Sequence, residues 1–135
     1  MTSATEEERL AAEWHQLLAR YHHTMCALDR VLLAEHHLTV SDFEVLQQLH
    51  AADCQVRMHD LADQVHLTQS ALSRLITRLE KAGLVERAMC EEDRRSVWTA
   101  ITPAGERCYL AARPTHRAIL AQCAAGEAAC PDEAS

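Results

Sequence analysis

The sequence predicts a mainly α chain with one small β wing: a winged helix-turn-helix lobe set between long flanking helices. Three observations predict it. Ala and Leu are abundant while the 135 residues hold only three Gly and three Pro, so helix should dominate. Between His59 and Thr102, a short helical segment, a tight turn and a second helical segment precede two strand-like runs around a charged tip. That second segment, Gln69 to Gly83, sets Leu72, Leu75, Ile76 and Leu79 on one apolar stripe, and no acid interrupts its other faces until Glu80. The length fits one domain over 1–135, with flanking helices at 6–36 and 103–122, the lobe at 41–102 and a flexible tail at 123–135.

The elements follow in order. Thr5-Glu6-Glu7-Glu8 has the form of a capping box, and acids in a first turn suit the helix dipole, so a helix is expected from Glu6 to about Glu35. Leu10, Trp14, Leu17, Tyr21, Met25, Leu28 and Leu32 step by four and three along it, a seam that wants a long partner helix. Ser41-Asp42-Phe43-Glu44 is a second capping box and opens a helix to about Ala52, with Phe43, Leu46 and Leu49 on its apolar face. Val56-Arg57-Met58 reads as a short extra strand that would make the sheet three-stranded. Leu61 to Val65 is the first helix of the pair and His66-Leu67-Thr68 its turn. Thr68 stands where an N-cap belongs, and Gly83 where a helix stops. Leu84–Ala88 and Ser96–Ile101 are rich in strand formers and flank the loop Cys90–Arg95. Thr102 caps the last helix, Pro103 occupies its first turn, and Pro114 is expected to kink or interrupt it. From Gln122 the chain is small, acidic and broken by Gly126 and Pro131, and reads as a frayed tail.

The polar side of the second lobe helix carries Gln69, Ser70, Ser73, Arg74, Thr77, Arg78 and Lys81. Arg pairs bidentately with guanine, Gln with adenine, and Ser and Thr serve as adaptable donors and acceptors, so this face suits base edges and phosphates. A plain solvated face is the competing reading. The preceding helix, the tight turn and the ribbon favour the major groove of double-stranded DNA. Arg94 and Arg95 at the ribbon tip are expected to enter the minor groove or grip its backbone, with Asp93 bracing Arg95. The net charge of −7 looks wrong for a DNA binder until it is located. Residues 1–55 hold nine acids against three bases, whereas 56–102 hold seven of each. A neutral reading head on an acidic scaffold implies strong salt dependence and modest background affinity.

The run from Leu61 to Gly105 resembles the MarR family of bacterial transcriptional regulators. The matching pieces are Leu61-Ala62, Ser70-Ala71-Leu72-Ser73-Arg74-Leu75, Arg78-Leu79-Glu80, Gly83-Leu84-Val85-Glu86-Arg87, Asp93-Arg94-Arg95 and Ile101-Thr102-Pro103-Ala104-Gly105, with Leu38-Thr39 and Phe43-Glu44-Val45-Leu46 upstream. The resemblance spans about residues 8–120. It implies a homodimer in which the first helix packs on the last helix of both subunits, a palindromic operator, repression more often than activation, and a small-molecule effector. Family members usually have one more helix after the last one here, and Gln122–Ser135 departs from that pattern.

For an aromatic or phenolic effector, the candidates are Trp14, His15, His22, Phe43 and His116, which could supply an aromatic wall and a hydrogen-bond donor. A metal-responsive alternative rests on His22 and Cys26, spaced as two ligands on one helix face, with no CxxC or HExxH motif behind them. A redox alternative rests on six scattered cysteines. The resemblance places a peroxide sensor's cysteine early in the first helix, where this chain has Trp14 and His15. No nucleophile–base pair has an oxyanion donor beside it, so no enzyme and no cofactor are expected. The acidic start lacks a basic leader and no apolar run can span a membrane, which points to the cytoplasm. A winged helix serving protein contact is the remaining alternative, and it would not need Arg74, Arg78, Arg94 and Arg95 around one polar face.

Overall fold

A computed structural model describes residues 3–52, 55–89 and 97–126. Five helices and a three-stranded sheet follow one another: α1 (Ala4–His36), α2 (Val40–Ala52), β1 (Val56–Arg57), α3 (Met58–Val65), α4 (Gln69–Lys81), β2 (Val85–Met89), β3 (Val97–Ile101) and α5 (Pro103–Ala124). This is the mainly α winged helix-turn-helix that the sequence predicts. The sheet order is β1-β3-β2, all antiparallel, with Val56 opposite Thr99 and Arg87 opposite Thr99 on the other side. The extra strand is therefore real, although Met58 belongs to α3 rather than to it.

Local chemistry sets most boundaries. Thr68 accepts from Ala71 N–H at 3.1 Å and starts α4. Gly83 follows that helix at φ +79°, and Leu84 N–H reaches back to Leu79 O at 2.9 Å, a left-handed close of the Schellman type. Thr102 accepts from Gly105 N–H at 3.0 Å to cap α5 and donates to Gly83 O at 2.6 Å. One hydroxyl thus ties the start of α5 to the end of α4. Gly105 is needed there because a β-carbon would collide with the Leu84 carbonyl and lie 2.7 Å from Ile101 Cγ1.

Three expectations are corrected. The α1 cap is Ser3, which accepts from Glu6 N–H at 3.1 Å, not Thr5; both residues have a glutamate three positions on, and the earlier one wins. The α2 cap is Thr39 rather than Ser41: Asp42 N–H donates to Thr39 Oγ1 at 3.0 Å and Thr39 N–H to Asp42 Oδ2 at 2.9 Å, a reciprocal box two residues earlier. Pro114 does not interrupt α5, which runs on to Ala124. Pro114 is exposed, and so is Leu110, whose carbonyl loses its helical donor and can turn to water instead. The tail expected from 123 starts later: Cys123 and Ala124 still belong to α5, with Cys123 packed against the core, and residues 127–135 lie outside the described residues.

The core joins Leu28 and Leu32 of α1, Phe43, Leu46 and Leu49 of α2, Leu61 of α3, Leu72, Ile76 and Leu79 of α4, Val85 of β2 and Tyr109 and Ala112 of α5. Each of the leucine, isoleucine, valine and phenylalanine side chains contributes roughly 1.5–3 kcal/mol by leaving water. The α1 seam divides in two. Leu28 and Leu32 are buried, whereas Leu10, Trp14, Leu17, Leu18 and Tyr21 stand 44–63 % exposed on a helix that projects from the lobe. No helix among the described residues is long and apolar enough to cross a membrane.

Candidate nucleic-acid interface

The core stripe of α4 fixes what its opposite side presents. With about 100° between successive residues, burying Leu72, Leu75, Ile76 and Leu79 leaves Ser70, Ser73, Arg74, Thr77 and Lys81 facing away, with Gln69 and Arg78 at the two edges. Gln69, Ser70, Ser73, Arg74 and Lys81 are exposed and Thr77 is half-buried. Arg74 has no hydrogen bond or ion pair to another described residue, so its guanidinium is uncommitted. Gln69, Ser73 and Thr77, by contrast, are held. Gln69 Nε2 donates to His59 Nδ1 of α3 at 2.8 Å, which aims the amide oxygen away from α3. Thr77 Oγ1 donates to Ser73 O at 2.9 Å.

Arg87 on β2 completes this face, and sequence reasoning missed it as a site residue. Its NH2 group donates to Ser73 O at 2.8 Å, to Thr77 Oγ1 at 3.0 Å and to Ser73 Oγ at 3.3 Å. The wing is thereby pinned to the middle of α4. Its Nε is buried without a partner. The signal was available: Val85 faces inward, so alternation puts Arg87 on the same side, where an arginine must find acceptors. Arg57 on β1 lies over the Trp98 ring at 5.0 Å and steadies the far strand pair. A cavity of about 500 Å³ opens beside these groups, walled by Arg57, His59, Gln69, Ser73 and Arg87.

Arg78 has a different setting from the rest of the predicted face. Both of its NH groups donate to Asp42, at 2.8 and 2.6 Å, and this carboxylate raises the arginine's pKa further. Arg94 and Arg95 lie outside the described residues.

The predicted effector residues fall into two places. Phe43 and His116 come together: both are buried, and their rings stack at 4.1 Å and 16°. Tyr109 packs on Phe43 at 5.3 Å and His50 on Tyr109 at 4.8 Å, so an aromatic ladder joins α2 to α5. Arg117 NH1 donates to His116 Nδ1 at 2.6 Å, and Glu44 Oε1 lies 3.8 Å from Nε2. Burial, and then the Arg117 charge, lower the His116 pKa to about 4, so the ring is neutral at pH 7. Trp14, His15 and His22 are exposed on the projecting part of α1, and the single chain does not bring them to Phe43.

Cys26 is disulfide-bonded, which corrects its reading as a thiolate ligand beside His22. Among the described residues, no three His, Cys, Asp or Glu side chains gather closely enough to hold a metal ion. Cys108 is a free thiol that burial pushes up, the reverse of the activation a redox sensor needs. Cys54, Cys90 and Cys130 lie outside the described residues.

Comparison with known proteins adds five likenesses. The model of the MarR family matches residues 38–97. Among curated proteins, the HTH-type transcriptional regulator FarR of Neisseria gonorrhoeae is 34% identical over 80 residues, 59% of this chain and 54% of its own length. The homoprotocatechuate degradative operon repressor of Escherichia coli is 29% identical over 80 residues, 59% of this chain and 53% of its own. The aligned part thus spans about half of each. Among solved structures, AbsC, a MarR family transcriptional regulator of Streptomyces coelicolor, superposes with a TM-score of 0.78 at 30% identity, covering 98% of this chain and 86% of that one. Sco3205 of the same organism, a MarR family regulator solved in complex with DNA, gives 0.79 at 25% identity, covering 98% and 81%.

Proposed function

This chain belongs to the MarR family, and from that premise we propose that it is a dimeric DNA-binding transcriptional regulator that represses from a two-fold operator and is released by a small aromatic acid. MarR-family regulators are non-enzymatic DNA-binding proteins. The observation that carries the reading is the α4 surface: a capped, core-anchored helix presents Gln69, Ser70, Ser73, Arg74 and Thr77 outward, with Arg74 uncommitted. In this reading those side chains meet base edges in the major groove. Arg94 and Arg95 of the wing contact backbone or the adjacent minor groove. The solved DNA complex of Sco3205 supports the same use of the fold. Cytoplasmic residence follows from that use.

The dimer reading rests on the exposed seam of α1. Leu10, Trp14, Leu17, Leu18 and Tyr21 form a contiguous apolar face of the kind that monomers bury. A second copy of the chain, with its own seam and α5, is the occupant this family supplies. Two α4 helices then lie one or more helical turns apart, as a palindromic operator requires.

The effector reading rests on Phe43, His116 and their arginine neighbours. Phe43 and His116 are buried against each other with Arg117 5.8 Å over the Phe43 ring, so in this reading an aromatic acid parts the stacked rings to sit beside that cation. Closure of the dimer brings Trp14, His15 and His22 into the interface region next to it. A relative that represses a homoprotocatechuate degradative operon, genes for the breakdown of a phenolic acid, points to the same ligand class. A ligand there acts by population shift: it favours a lobe spacing that no longer fits both half-sites. Fluorescence anisotropy on the duplex that the wild-type protein selects from a random-sequence pool tests the whole reading. Selection of one sequence, with affinity lowered by hydroxyphenylacetic acid or salicylate, is expected. Equal binding to scrambled DNA removes the regulator; selective binding indifferent to both acids removes the effector class.

A further inference from the structure

Asp42 and Arg78 are joined in a way that a DNA-contact role for Arg78 does not require. Asp42 is fully buried near the start of α2. A carboxylate in that position is tolerated only when it is paired and its lone pairs are taken. Here they are. Oδ2 accepts from Thr39 N–H at 2.9 Å and from Arg78 NH1 at 2.8 Å, and Oδ1 accepts from Arg78 NH2 at 2.6 Å. One carboxylate therefore closes the cap of α2 and grips the last turn of α4, 36 residues further along the chain. One step back, Asp29 Oδ1 of α1 accepts from Val40 N–H at 2.7 Å, the first residue of α2. A continuous polar path runs from α1 through the α2 cap to α4. A two-pronged Arg–carboxylate bond fixes angle as well as distance. Arg78 stands at the edge of the polar face rather than its centre, and about half of its side chain is covered.

We propose that Asp42 and Arg78 are positioning residues for DNA recognition: a clamp that sets the attitude of α4 on α2 and, through Asp29, on the dimer helix. Arg78 acts by orienting Ser70, Ser73 and Arg74, not by neutralising a phosphate. This rests on the reading that α4 binds DNA. It places the point where a change in α1 is handed to the recognition helix at the Asp29–Val40 and Asp42–Arg78 bonds.

The test uses the full chain, its selected duplex and a scrambled duplex, with affinities measured over a series of salt concentrations. The variants are Asp42→Asn, Arg78→Gln, Arg78→Lys and the Asp42→Asn/Arg78→Gln double. Circular dichroism sets a temperature at which each is folded. A clamp predicts that each single variant binds the selected duplex about tenfold or more weakly, with the scrambled duplex and the salt slope unchanged. The double is then no worse than either single, and Arg78→Lys falls with Arg78→Gln because the charge stays while the fork is lost. Should Asp42→Asn fail to fold, the two Arg78 variants still decide. A phosphate contact predicts the opposite: Arg78→Gln weakens both duplexes and flattens the slope by about one, and Arg78→Lys binds like wild type. That pattern overturns the clamp alone. Lower melting temperatures with wild-type affinity in the folded variants also overturn it, leaving a stabilising pair. A wild-type protein that selects no sequence overturns the functional reading and the clamp with it.

Discussion

Replacing Trp14 by Ala should weaken the dimer while leaving the lobe's stability untouched. Trp14 is 60 % exposed in the single chain and touches none of the core. An aromatic of its size offers roughly 200 Å², so covering the exposed share removes about 120 Å² from water. At about 25 cal/mol per Å² that is near 3 kcal/mol per subunit as a ceiling. Incomplete coverage and repacking halve it to about 1.5 kcal/mol, and the two-fold axis doubles it again to about 3 kcal/mol per dimer, a hundredfold or so in Kd. Sedimentation velocity over a range of concentrations reads the constant, and urea unfolding monitored at low concentration reads the lobe. A dimer constant within about threefold of wild type refutes the seam as the interface, and so does a wild-type chain that stays monomeric throughout. A lobe destabilised as much as the dimer shows that Trp14 is core after all.

Thr68→Ala removes the hydroxyl that caps α4 and should lower unfolding free energy by about 1 kcal/mol in urea titration, with Ser at the same position restoring most of it. Gly105→Ala drives a methyl against the Leu84 backbone and Ile101 where α5 begins, and should destabilise by about 1–3 kcal/mol in the same assay. His116 titrates near 4 in the folded chain against 6.5 in the unfolded one, so the fold favours its neutral form. That contribution is complete above pH 6.5 and is lost as pH falls from 6.5 towards 4, at most about 3 kcal/mol. Melting curves across that window should therefore be flatter for His116→Gln than for wild type.

What could be read from the sequence was what short segments decide alone. Thr68, Gly83 and Thr102 mark their helix ends because cap chemistry spans four residues, and the leucine stripe of α4 fixes which side faces out. Where two local signals competed, the choice slipped. Ser3 with Glu6 and Thr5 with Glu8 have the same form, as do Thr39 with Asp42 and Ser41 with Glu44, and the structure uses the earlier member both times; at Asp42 the bond to Arg78 favours that choice, whereas Ser3 is exposed. Asp42 itself was legible only as an interior residue of the expected Ser41–Glu44 box. Nothing within a window around it announces a partner 36 positions away, so Arg78 read as one more cation on a polar face. Phe43 and His116 were picked as ligand residues for their chemistry. Their mutual stacking depends on how α5 crosses α2, which no periodicity encodes. Arg87 was quoted only as part of a motif, although the inward position of Val85 two residues before it already placed it against α4.

The central claim is that the outward face of α4 reads a DNA sequence, and Arg74 is its most direct probe because nothing in the described chain holds it. The decisive measurement is the ratio of affinities for the selected and scrambled duplexes at one salt concentration, for wild type and Arg74→Ala. The account predicts a wild-type ratio of about a thousandfold or more. It also predicts a loss of about 1–3 kcal/mol on the selected duplex for Arg74→Ala, roughly ten- to hundredfold, with unchanged circular dichroism. A wild-type ratio near one, or an Arg74→Ala protein that discriminates as well as wild type, contradicts it.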